Sequence, residues 1–578
     1  MADNLLDKAS ILLTPTAYDN GRMLSVKPEN GGGDFDFERN SAATRVNAQG
    51  LVENVQIISS ELVLNGNFSQ EGSELITNGG FDTDSNWTLS SGISYNSNGY
   101  IDFDGTQGSG QARNTPNITF VAEKTYKVVY EIKNYVSGTI RFRFQNGVNT
   151  IGQQQSGDGV KTEYIVCNDS LNNNFQFFNS PSFNGSIDNV SVKEVGQNWD
   201  FDGDWTIGEN KIIHPAGSSP EYSTQDNVLT IGKNYTYSVE LLTGNVTNFA
   251  QLYVEGVGAI AAFTNGAGVY TGSFTAQGTN IRIRAVNADI DVEVTNISVK
   301  EITDDTNLPR IDYTDGCGSW LLEPQSTNLY LNSETLSTQS NATSASTYTV
   351  SFYGTGTITF SGTHTGTLVG TAADERVSAT FTTTSGTLTS TISGTCNKGQ
   401  LENLSYATSY IPTNGAANTR LQDIATNSGN ASLINSTEGV LYAEIADLSD
   451  NVNKLRFINI ADTSSTFTDR ISIGFRQDNR ILFEVFNNNS LQMQYFDNTT
   501  NVLEFNKMCV RYKNNDCAVF VNGVKVHQDT SATIPSNLST LIMAGYTNGT
   551  FGFEGKVKAL AVYKEALTDA ELQSLTTI

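Results

Sequence analysis

Three histidines are the most versatile acid–base groups of the chain, and they stand far apart in it. His214, His364 and His527 fall in segments of different composition; none belongs to a His-Glu-x-x-His pattern, and none accompanies a nucleophile elbow. An active site needs several titratable groups that converge on one place. The sequence therefore disfavours a metalloprotease or a triad hydrolase, and we expect a protein that is not an enzyme.

One run of carboxylates begins like a calcium loop. Asp82, Asp84 and Asn86 have the alternating spacing of an EF-hand, but Trp87 stands where that loop needs Gly and Ile93 stands where it needs Glu. An EF-hand is therefore excluded.

The composition predicts many short strands joined by polar turns. The chain has 578 residues with 51 Gly, and 16% of its residues are charged. Its 34 basic and 60 acidic residues give a formal net charge of -26. Such a charge repels nucleic acid and anionic membrane surfaces, so a polyanion-binding role is disfavoured.

The sequence indicates neither a membrane span nor export. No stretch reaches the eighteen or so apolar residues of a spanning helix, and the first residues lack the basic flank and apolar core of a signal peptide. The closest cysteines, Cys509 and Cys517, flank a predicted Asn514-Asn515 turn that places Cys509 opposite Phe520. We therefore expect reduced thiols and synthesis in a cytoplasm.

A strand-like string recurs along the chain and predicts copied β-modules. Ser186–Val195 returns in altered form as Val294–Ile302, and openers of the type Asn65-Gly66-Asn67-Phe68 and Asn78-Gly79-Gly80-Phe81 precede it. A further opener begins at Asn198-Trp199. Tyr126–Ile132, Ile140–Phe144, Tyr235–Leu241 and Ile281–Arg284 alternate apolar and polar residues, as half-buried strands do.

This arrangement resembles the jelly-roll carbohydrate-binding modules, which are two-sheet sandwiches. Sugars stack on aromatic rings, so Trp87 and Trp205 are candidate ligand-binding residues. An aromatic residue just after an opening strand is nevertheless more often part of the core. Tyr95 and Tyr100 are the exposed alternatives.

The same resemblance implies a structural Ca²⁺ in the first module. These families often hold calcium near the opening strand and at the aspartate of the closing strand, and Asp82 and Asp188 match those positions here. Thr295 replaces Asp188 in the second module, where calcium is not expected. The alternative is that both aspartates are solvated loop carboxylates.

Three further fragments resemble a connector of bacteriophage tail-fibre and other virion proteins. They are Arg39–Asn47 with Gly50–Glu53, then Asn307–Tyr313 with Cys317–Leu329, and finally Gln400–Glu402 with Ala407–Gly415, Thr419–Arg420 and Asp423. Their order is that of the family, with long insertions between them. The resemblance implies a segment that attaches the protein to a virion.

The last 140 or so residues resemble a laminin-G-like, concanavalin-A-like sandwich. Gly439–Ile445, Arg470–Phe475, Lys507–Tyr512 and Ala518–Gly523 are predicted strands of antiparallel sheets. Thr568 and Glu571 have capping-box spacing and predict a short terminal helix.

The predicted fold class is all-β and multidomain, with tandem β-sandwich jelly-rolls and a C-terminal concanavalin-A-like sandwich. The predicted segments are 1–60 (virion-attachment connector), 61–196 and 197–302 (jelly-roll modules 1 and 2), 303–335 (connector continuation), 336–432 (small β spacer and closing connector) and 433–578 (concanavalin-A-like sandwich).

The resemblances together favour a structural virion protein of a bacteriophage, either a fibre or a decoration protein. Its expected partners are capsid or tail proteins, host surface polysaccharide and further copies of itself, guessed as a trimer; it would sit on the virion surface, with neither nucleic acid binding nor membrane insertion. The main alternative is a modular polysaccharide depolymerase or glycoside hydrolase. That enzyme needs paired carboxylates, and the nearest string, Glu444-Ile445-Ala446-Asp447, has the wrong spacing, although a pair from distant segments stays open. A secreted adhesin and a purely structural virion part are further alternatives.

Overall fold

The computed structural model shows an all-β protein with two compact units. Unit 1 comprises residues 1–57 and 304–578, and unit 2 comprises residues 58–303. The structure describes residues 3–179, 182–216, 221–243, 250–263, 266–285, 291–450, 454–463, 468–543 and 552–578. Strands dominate both units and the two helices are short, so the predicted fold class of packed β-sandwiches is confirmed.

The elements before and within the first connector fragment are short. They are α1 (Asp3–Lys8), β1 (Ile11–Leu13), β2 (Tyr18–Asp19), β3 (Arg22–Met23), β4 (Phe35–Glu38), β5 (Thr44–Val46), β6 (Val52–Asn54) and β7 (Ile57–Ile58).

Unit 2 contains two sets of ten strands. The first set is β8 (Trp87–Leu89), β9 (Ile93–Asn96), β10 (Tyr100–Asp104), β11 (Gln111–Asn114), β12 (Thr125–Ser137), β13 (Ile140–Gln145), β14 (Thr150–Ile151), β15 (Gly159–Val166), β16 (Asn174–Asn179) and β17 (Asn184–Val195). The second set is β18 (Asp200–Phe201), β19 (Thr206–Gly208), β20 (Lys211–His214), β21 (Glu221–Gln225), β22 (Asn234–Thr243), β23 (Ala250–Val254), β24 (Gly258–Ala262), β25 (Gly268–Thr275), β26 (Ile281–Ala285) and β27 (Val292–Asp304).

The remaining elements belong to unit 1. Those up to the third connector fragment are β28 (Ile311–Asp312), β29 (Ser319–Leu322), β30 (Ser326–Asn328), β31 (Gln339–Thr343), β32 (Thr347–Tyr353), β33 (Thr357–Gly362), β34 (Gly366–Val369), β35 (Arg376–Thr382), β36 (Gly386–Ser393), β37 (Asn397–Glu402), β38 (Asn418–Arg420) and β39 (Ile424–Thr426). The last ones are β40 (Glu438–Ala446), β41 (Arg456–Ala461), β42 (Arg470–Phe475), β43 (Ile481–Asn487), β44 (Ser490–Asp497), β45 (Asn506–Lys513), β46 (Cys517–Val521), β47 (Val524–Asp529), β48 (Thr540–Ile542), β49 (Gly555–Tyr563) and α2 (Asp569–Thr576).

The largest sandwich of unit 1 uses both ends of the chain. One sheet has the order β28-β29-β49-β40-β45-β46-β47 with β1 also on β49, and the other has the order β44-β43-β42-β41-β48. Ile11 of β1 pairs with Val562, and Trp320 of β29 pairs with Val557. Both Ile11 and Trp320 are fully buried in the common core. The predicted boundaries at residues 60 and 433 therefore need correction, because the N-terminal segment completes this terminal sandwich.

The three connector fragments meet in a buried ionic cluster. Arg39 Nη1 lies 3.1 Å from Asp423 Oδ1, Arg310 contacts Asp423 and lies 2.6 Å from Glu323 Oε2, and Arg420 Nη1 is 2.6 Å from the same Glu323 oxygen. Burial lowers the pKa of Arg39 to about 10, against the opposing charge of Asp423. Burial alone would raise the pKa of Glu323, yet Arg420 and Arg310 hold it well below its ordinary value. Such a cluster is strongly destabilised if one partner is removed, so it fixes how the fragments join.

A smaller sandwich lies between the second and third connector fragments. Its sheets have the orders β31-β36-β33-β34 and β35-β32-β37, around a core that includes Tyr330, Val350 and Leu401. The predicted spacer module therefore exists, and its core begins at Tyr330 rather than after residue 336.

The predicted capping box is also confirmed, because Thr568 and Glu571 bond reciprocally at the start of α2. Cys509 pairs with Phe520 as predicted.

Unit 2 consists of two sandwiches with the same order of ten strands, one nested inside the other; the host sandwich has β7 as an additional strand on β27. Glu74 accepts a 2.9 Å hydrogen bond from Val192 N, so the opener at Asn78 belongs with the first closing strand. Glu61 accepts a 2.8 Å bond from Val299 N, which joins the opener at Asn65 to the second closing strand. We name residues 71–195 the inserted sandwich, and residues 58–70 with 196–303 the host sandwich. The predicted consecutive modules 61–196 and 197–302 are corrected accordingly.

Two glycines make the matching contacts of the two openers. A Cβ on Gly66 would lie 2.0 Å from Ile297 O, and a Cβ on Gly79 would lie 1.9 Å from Val190 O. Both distances are far inside van der Waals contact, so only Gly allows the opener to approach the closing strand. The same kind of glycine contact therefore joins the opener to the closing strand in both sandwiches.

Strand order confirms the equivalence of the two sandwiches. The inserted sandwich has sheets β15-β12-β17-β10-β9 and β14-β13-β16-β11-β8, and the host has β25-β22-β27-β20-β19 and β24-β23-β26-β21-β18. Each host strand thus corresponds to the inserted strand numbered ten lower. No helix in the described parts of the chain is both long and apolar enough to cross a membrane.

Candidate functional site

The sheet β14-β13-β16-β11-β8 of the inserted sandwich has an unusual outer surface. Along β13, Phe142 and Phe144 are fully buried while Arg141 and Arg143 point away from the core. This alternation follows from the two-residue period of a strand, in which neighbouring side chains lie on opposite faces. The sequence of β13 therefore places two guanidinium groups side by side on the outside.

Strand register extends these arginines into two rows. Arg141, Phe178 and Gln111 lie in one row, because Arg141 and Gln111 both pair with Phe178. Arg143, Gln176 and Arg113 form the next row by the same rule. Residues directly opposite in antiparallel strands share a face and contact each other. We name this surface the Phe178 face; its six residues are Gln111, Arg113, Arg141, Arg143, Gln176 and Phe178.

Phe178 holds the two arginines of β13 beside its ring. The Cζ atoms of Arg141 and Arg143 lie 4.7 and 4.6 Å from the ring centroid, within the range of cation–π attraction. Arg143 Nη2 also donates to Gln111 Oε1 at 3.3 Å. The amide of Gln176 satisfies its neighbours when its oxygen faces Arg143 and its nitrogen faces Gln111. Neutral groups thus orient the guanidinium groups.

The positive charge of the Phe178 face is not balanced locally. The five strands of the sheet contain no Asp or Glu, and none of Arg113, Arg141 and Arg143 has an ion-pair partner among the residues that the structure describes. The buried Nε of Arg141 has no hydrogen-bond partner. Burial, and then the charge of Arg141, lower the pKa of Arg143. Three guanidinium groups therefore carry a local charge of +3 in a chain of net charge -26.

The equivalent sheet of the host sandwich also carries arginines and aromatic rings. Tyr222 and Gln251 both pair with Arg284, while Thr224 and Tyr253 both pair with Arg282. We name this surface the Tyr222 face; its six residues are Tyr222, Thr224, Gln251, Tyr253, Arg282 and Arg284. The Cζ of Arg282 lies 5.5 Å from the Tyr222 ring centroid, and the Cζ of Arg284 lies 5.8 Å from that of Tyr253. Both faces thus combine arginine, aromatic and amide side chains.

The Tyr222 face differs in its charge balance. Arg282 Nη2 forms a 3.1 Å ion pair with Glu255 Oε2, and Asp200 pairs with Thr224 in the same row. Arg282 therefore has a carboxylate partner, whereas Arg284 has no ion pair among the described residues. With Asp200 counted, two arginines and two carboxylates give a local formal charge of zero. The Arg-x-Arg strings also lie on non-equivalent strands, since β13 corresponds to β23 and β26 corresponds to β16.

The predicted tryptophans lie in the cores rather than on these faces. Trp205 is 3% exposed and contacts His214 edge-on, so its ring is not available for stacking on a sugar. Trp87 is half-buried; its Nε1 donates to Asn78 O at 3.0 Å and its ring lies 5.0 Å from Phe81. The host residue that makes the corresponding contacts is Trp199, not Trp205. Trp199 Nε1 donates to Leu64 O at 3.1 Å, and its ring lies 5.3 Å from Phe68.

The predicted tyrosines lie on the opposite sheet of the inserted sandwich. Tyr95 is on β9 and pairs with Ile101, and Tyr100 is on β10 and pairs with Asn96. Both are half-buried, and Tyr95 contacts the core. The structure therefore does not bring them together with the Phe178 face. Their role in ligand binding stays a prediction.

The predicted calcium ligands have different surroundings. Asp188 is 7% exposed, and its carboxylate accepts hydrogen bonds from Lys133 Nζ at 2.7 Å and Asn189 N at 2.6 Å. Asp82 is exposed. Within the described ranges, no group of three or more His, Cys, Asp and Glu side chains could hold a metal ion. The lysine already supplies Asp188 with a cation, and calcium here stays a prediction.

Unit 1 contains a cavity of about 360 Å³ beside the ionic cluster. Its charged lining groups make contacts within the protein: Arg45 pairs with Glu53 at 2.8 Å, Lys556 pairs with Asp315, and Arg376 donates to Thr408 O at 2.6 Å. Its size suits a small ligand. Because these groups are already paired, the cavity is a weaker candidate than the two arginine faces.

Comparison with known proteins identifies the terminal sandwich. Residues 448–573 match the model of the concanavalin A-like lectin/glucanases superfamily. This match confirms the predicted concanavalin-A-like sandwich at the C-terminus. No curated protein matches the chain.

Several solved structures are similar over part of the chain. The CBM40 module of the Ruminococcus gnavus IT-sialidase has 16% identity and a TM-score of 0.22, over 26% of this chain and 92% of that one. The CBM22-1-CBM22-2 tandem of Paenibacillus barcinonensis Xyn10C has 9% identity and a TM-score of 0.18, over 40% and 98%. The leech intramolecular trans-sialidase has 20% identity and a TM-score of 0.21, over 25% of this chain and only 24% of that enzyme. At these TM-scores the similarities carry no argument about function.

Sequence reasoning did not find the two arginine faces, although the necessary signal is present. Ile140–Phe144 and Ile281–Arg284 were predicted as half-buried strands, and that prediction is confirmed. Their polar positions are arginines without acidic neighbours on the strand. An outward Arg-x-Arg string in a strongly acidic protein is the signal that could have identified both strands.

Proposed function

We propose that the two nested sandwiches bind carbohydrate through the Phe178 face and the Tyr222 face. The observation that carries this proposal is the row Arg141–Phe178–Gln111, in which an aromatic ring orients a guanidinium group beside an amide. Guanidinium and amide groups donate to sugar hydroxyls, and an aromatic ring supplies apolar contact. The family model that matches residues 448–573 names lectins and glucanases, which supports carbohydrate as a ligand class for the terminal sandwich.

We further propose that the role is binding rather than catalysis. Glycoside hydrolysis uses two carboxylates that flank the scissile bond. The strands that form the Phe178 face have no carboxylate, so a sugar bound there would meet donors but no acid–base pair. A depolymerase would require a carboxylate pair elsewhere in the chain.

The virion assignment is the finer part of this proposal. The connector resemblance implies a bacteriophage fibre or decoration protein, and its three fragments do assemble into one buried cluster around Glu323 and Asp423. This assembly supports a common origin for the fragments. Immunogold electron microscopy of phage particles made with this protein would show label on the particle surface; unlabelled particles would contradict a virion role.

Glycan binding is tested on the full chain with an array of host surface glycans. Phe178→Ala removes the ring that orients Arg141 and Arg143, and we expect it to weaken binding about tenfold. The control is Lys233→Gln, because Lys233 pairs with Glu301 outside both faces. Equal binding by the wild type, Phe178→Ala and Lys233→Gln would show that the binding site is not on the Phe178 face. No binding by the wild type would refute the proposed function.

A further inference from the structure

The two faces share one design but differ in charge. The Phe178 face has three arginines and no carboxylate. The Tyr222 face has two arginines, of which Arg282 pairs with Glu255, and a second carboxylate, Asp200, lies in the row of Thr224. Since the sandwiches have the same strand order, the fold does not cause this difference. It lies in the side chains alone.

The unbalanced arginines have a specific chemical consequence. Arg141 and Arg143 share one aromatic ring, and burial, together with the charge of Arg141, lowers the pKa of Arg143. Surface arginines are normally offset by nearby carboxylates in so acidic a protein. A guanidinium group presents a planar set of donors that matches a carboxylate or sulfate in a two-point contact. An anionic ligand would thus supply the partner that the sheet lacks.

Three lysines on the other sheet of the inserted sandwich, in contrast, are paired with carboxylates. On the other sheet, Lys133 is paired with Asp188 at 2.7 Å, and Lys127 and Lys193 are paired with Glu71 at 2.8 and 2.9 Å. These cations are satisfied within the protein. Lys124 and Lys161 of this sandwich have no ion pair among the described residues either. The Phe178 face differs because its three unpaired guanidinium groups lie in adjacent rows of one sheet.

We propose that the Phe178 face selects acidic glycans, with carboxylate or sulfate groups on the sugar, whereas the Tyr222 face does not require an acidic group. This inference rests on the proposed carbohydrate-binding function and adds the ligand class. Arg141 and Arg143 bind the anionic group, while Gln111 and the exposed Arg113 contact neighbouring hydroxyls. The chain's overall charge of -26 opposes contact along the whole length of a polyanion, so we expect a long acidic polymer to bind through the one short segment that contacts the Phe178 face.

The experiment measures binding of the full chain to matched pairs of polymers. The pairs are dextran sulfate with dextran, and polygalacturonate with its methyl ester, so each pair has the same sugar backbone and differs in whether its substituent carries a charge. We expect at least about tenfold tighter binding to one or both acidic members, weakening as salt increases, because an ion pair contributes most of the difference. The two pairs separate sulfate from carboxylate as the preferred group.

Variants locate the selectivity. Arg141→Gln with Arg143→Gln is expected to abolish the preference for the acidic polymer. Lys233→Gln, which removes a cation outside both faces, is expected to leave the preference unchanged. Arg141→Lys keeps the charge but loses the planar fork, so the preference should fall only partly. Unchanged thermal unfolding of the double variant in circular dichroism excludes misfolding as the cause.

Each outcome decides a different claim. Equal binding to charged and neutral members overturns the acidic selectivity but keeps glycan binding. No binding to any polymer, together with no binding on a host-glycan array, overturns the proposed function itself. Binding of duplex DNA or of phosphatidylglycerol vesicles as tightly as the acidic polymers would show a general anion surface and also overturn the inference.

Discussion

The inserted and host sandwiches are two copies of one fold that differ in the charge of their outer sheets. The features that they share are those that the fold requires, and the charge of the outer sheet is not among them. In both, an opener glycine packs against the closing strand and a tryptophan contacts the opener phenylalanine. In both, a glutamate just before the opener accepts a hydrogen bond from the closing strand. Their outer sheets repeat arginine and aromatic residues but differ in acidic ones. The core was thus copied closely, and the charge of one face was not.

The two sandwiches also differ in whether they are continuous in the sequence. The inserted sandwich occupies one continuous stretch, whereas the host is divided by it after residue 70. A continuous sandwich can form all its contacts without its neighbour. We therefore expect the host to depend on the inserted sandwich for bringing its two parts together, and the inserted sandwich to be independent.

The largest expected effect comes from the opener glycines. Gly79→Ala would place a Cβ 1.9 Å from Val190 O, and Gly66→Ala would place one 2.0 Å from Ile297 O. Each should destabilise its own sandwich by more than about 3 kcal/mol, because the backbone must move to relieve the overlap. Hydrogen exchange would show loss of protection in the host strands alone for Gly66→Ala.

The control for this pair is Gly80→Ala, whose Cβ would have no neighbour closer than 3.9 Å. It should leave exchange unchanged. Loss of protection in the inserted sandwich on Gly66→Ala would contradict the nested arrangement.

An intermediate effect is expected when the host face is made more like the inserted one. Glu255→Gln removes the partner of Arg282 and changes the local charge of the Tyr222 face from zero to +1. In a chain that also carries Arg141→Gln and Arg143→Gln, it should raise the affinity for acidic polymer several-fold, by roughly 1 kcal/mol. Isothermal titration measures this gain.

Its matched control is Glu293→Gln, which removes a carboxylate that pairs with Lys211 on the other sheet. An equal gain from both variants would mean that overall charge, rather than the Tyr222 face, governs binding.

The smallest expected effect concerns acid. Glu71 lies three residues before Glu74, whereas Ile58 lies three residues before Glu61, so only the inserted sandwich has a carboxylate there. Hydrogen bonds from Lys127 and then Lys193 lower the pKa of Glu71. The stabilisation is therefore complete above the unfolded-state pKa of Glu71 and is lost as the pH falls through its lowered value in the folded state.

Because Glu71 and its two lysine partners are partly exposed, we expect the free energy of unfolding to fall by less than about 1 kcal/mol when Glu71 is protonated. Comparing the inserted sandwich in wild type and Glu71→Gln by hydrogen exchange against pH measures it. A pH dependence that survives Glu71→Gln would assign the acid sensitivity to another group.

The sequence predicted much of the fold because strand alternation and the closing string are local patterns. It did not predict the nesting, since either opener could pair with either closing strand. The contacts of Gly66 and Gly79, and the hydrogen bonds of Glu61 and Glu74, decide the pairing. The sequence names Trp205 as a candidate and places Trp199 in an opener, yet the hydrogen bond from Trp199 to Leu64 O shows that Trp199 corresponds to Trp87. The union of β1 with β49 joins residues about 550 apart, which no local pattern shows.

The central claim, that the Phe178 face binds acidic glycan, is tested most directly by arginine footprinting. The full chain is labelled with phenylglyoxal with and without the acidic polymer that binds best, and modified arginines are located by mass spectrometry. The account predicts that the acidic polymer protects Arg113, Arg141 and Arg143 more strongly than Arg282 and Arg284. Unchanged labelling of all three, with binding confirmed in the same sample, would contradict it.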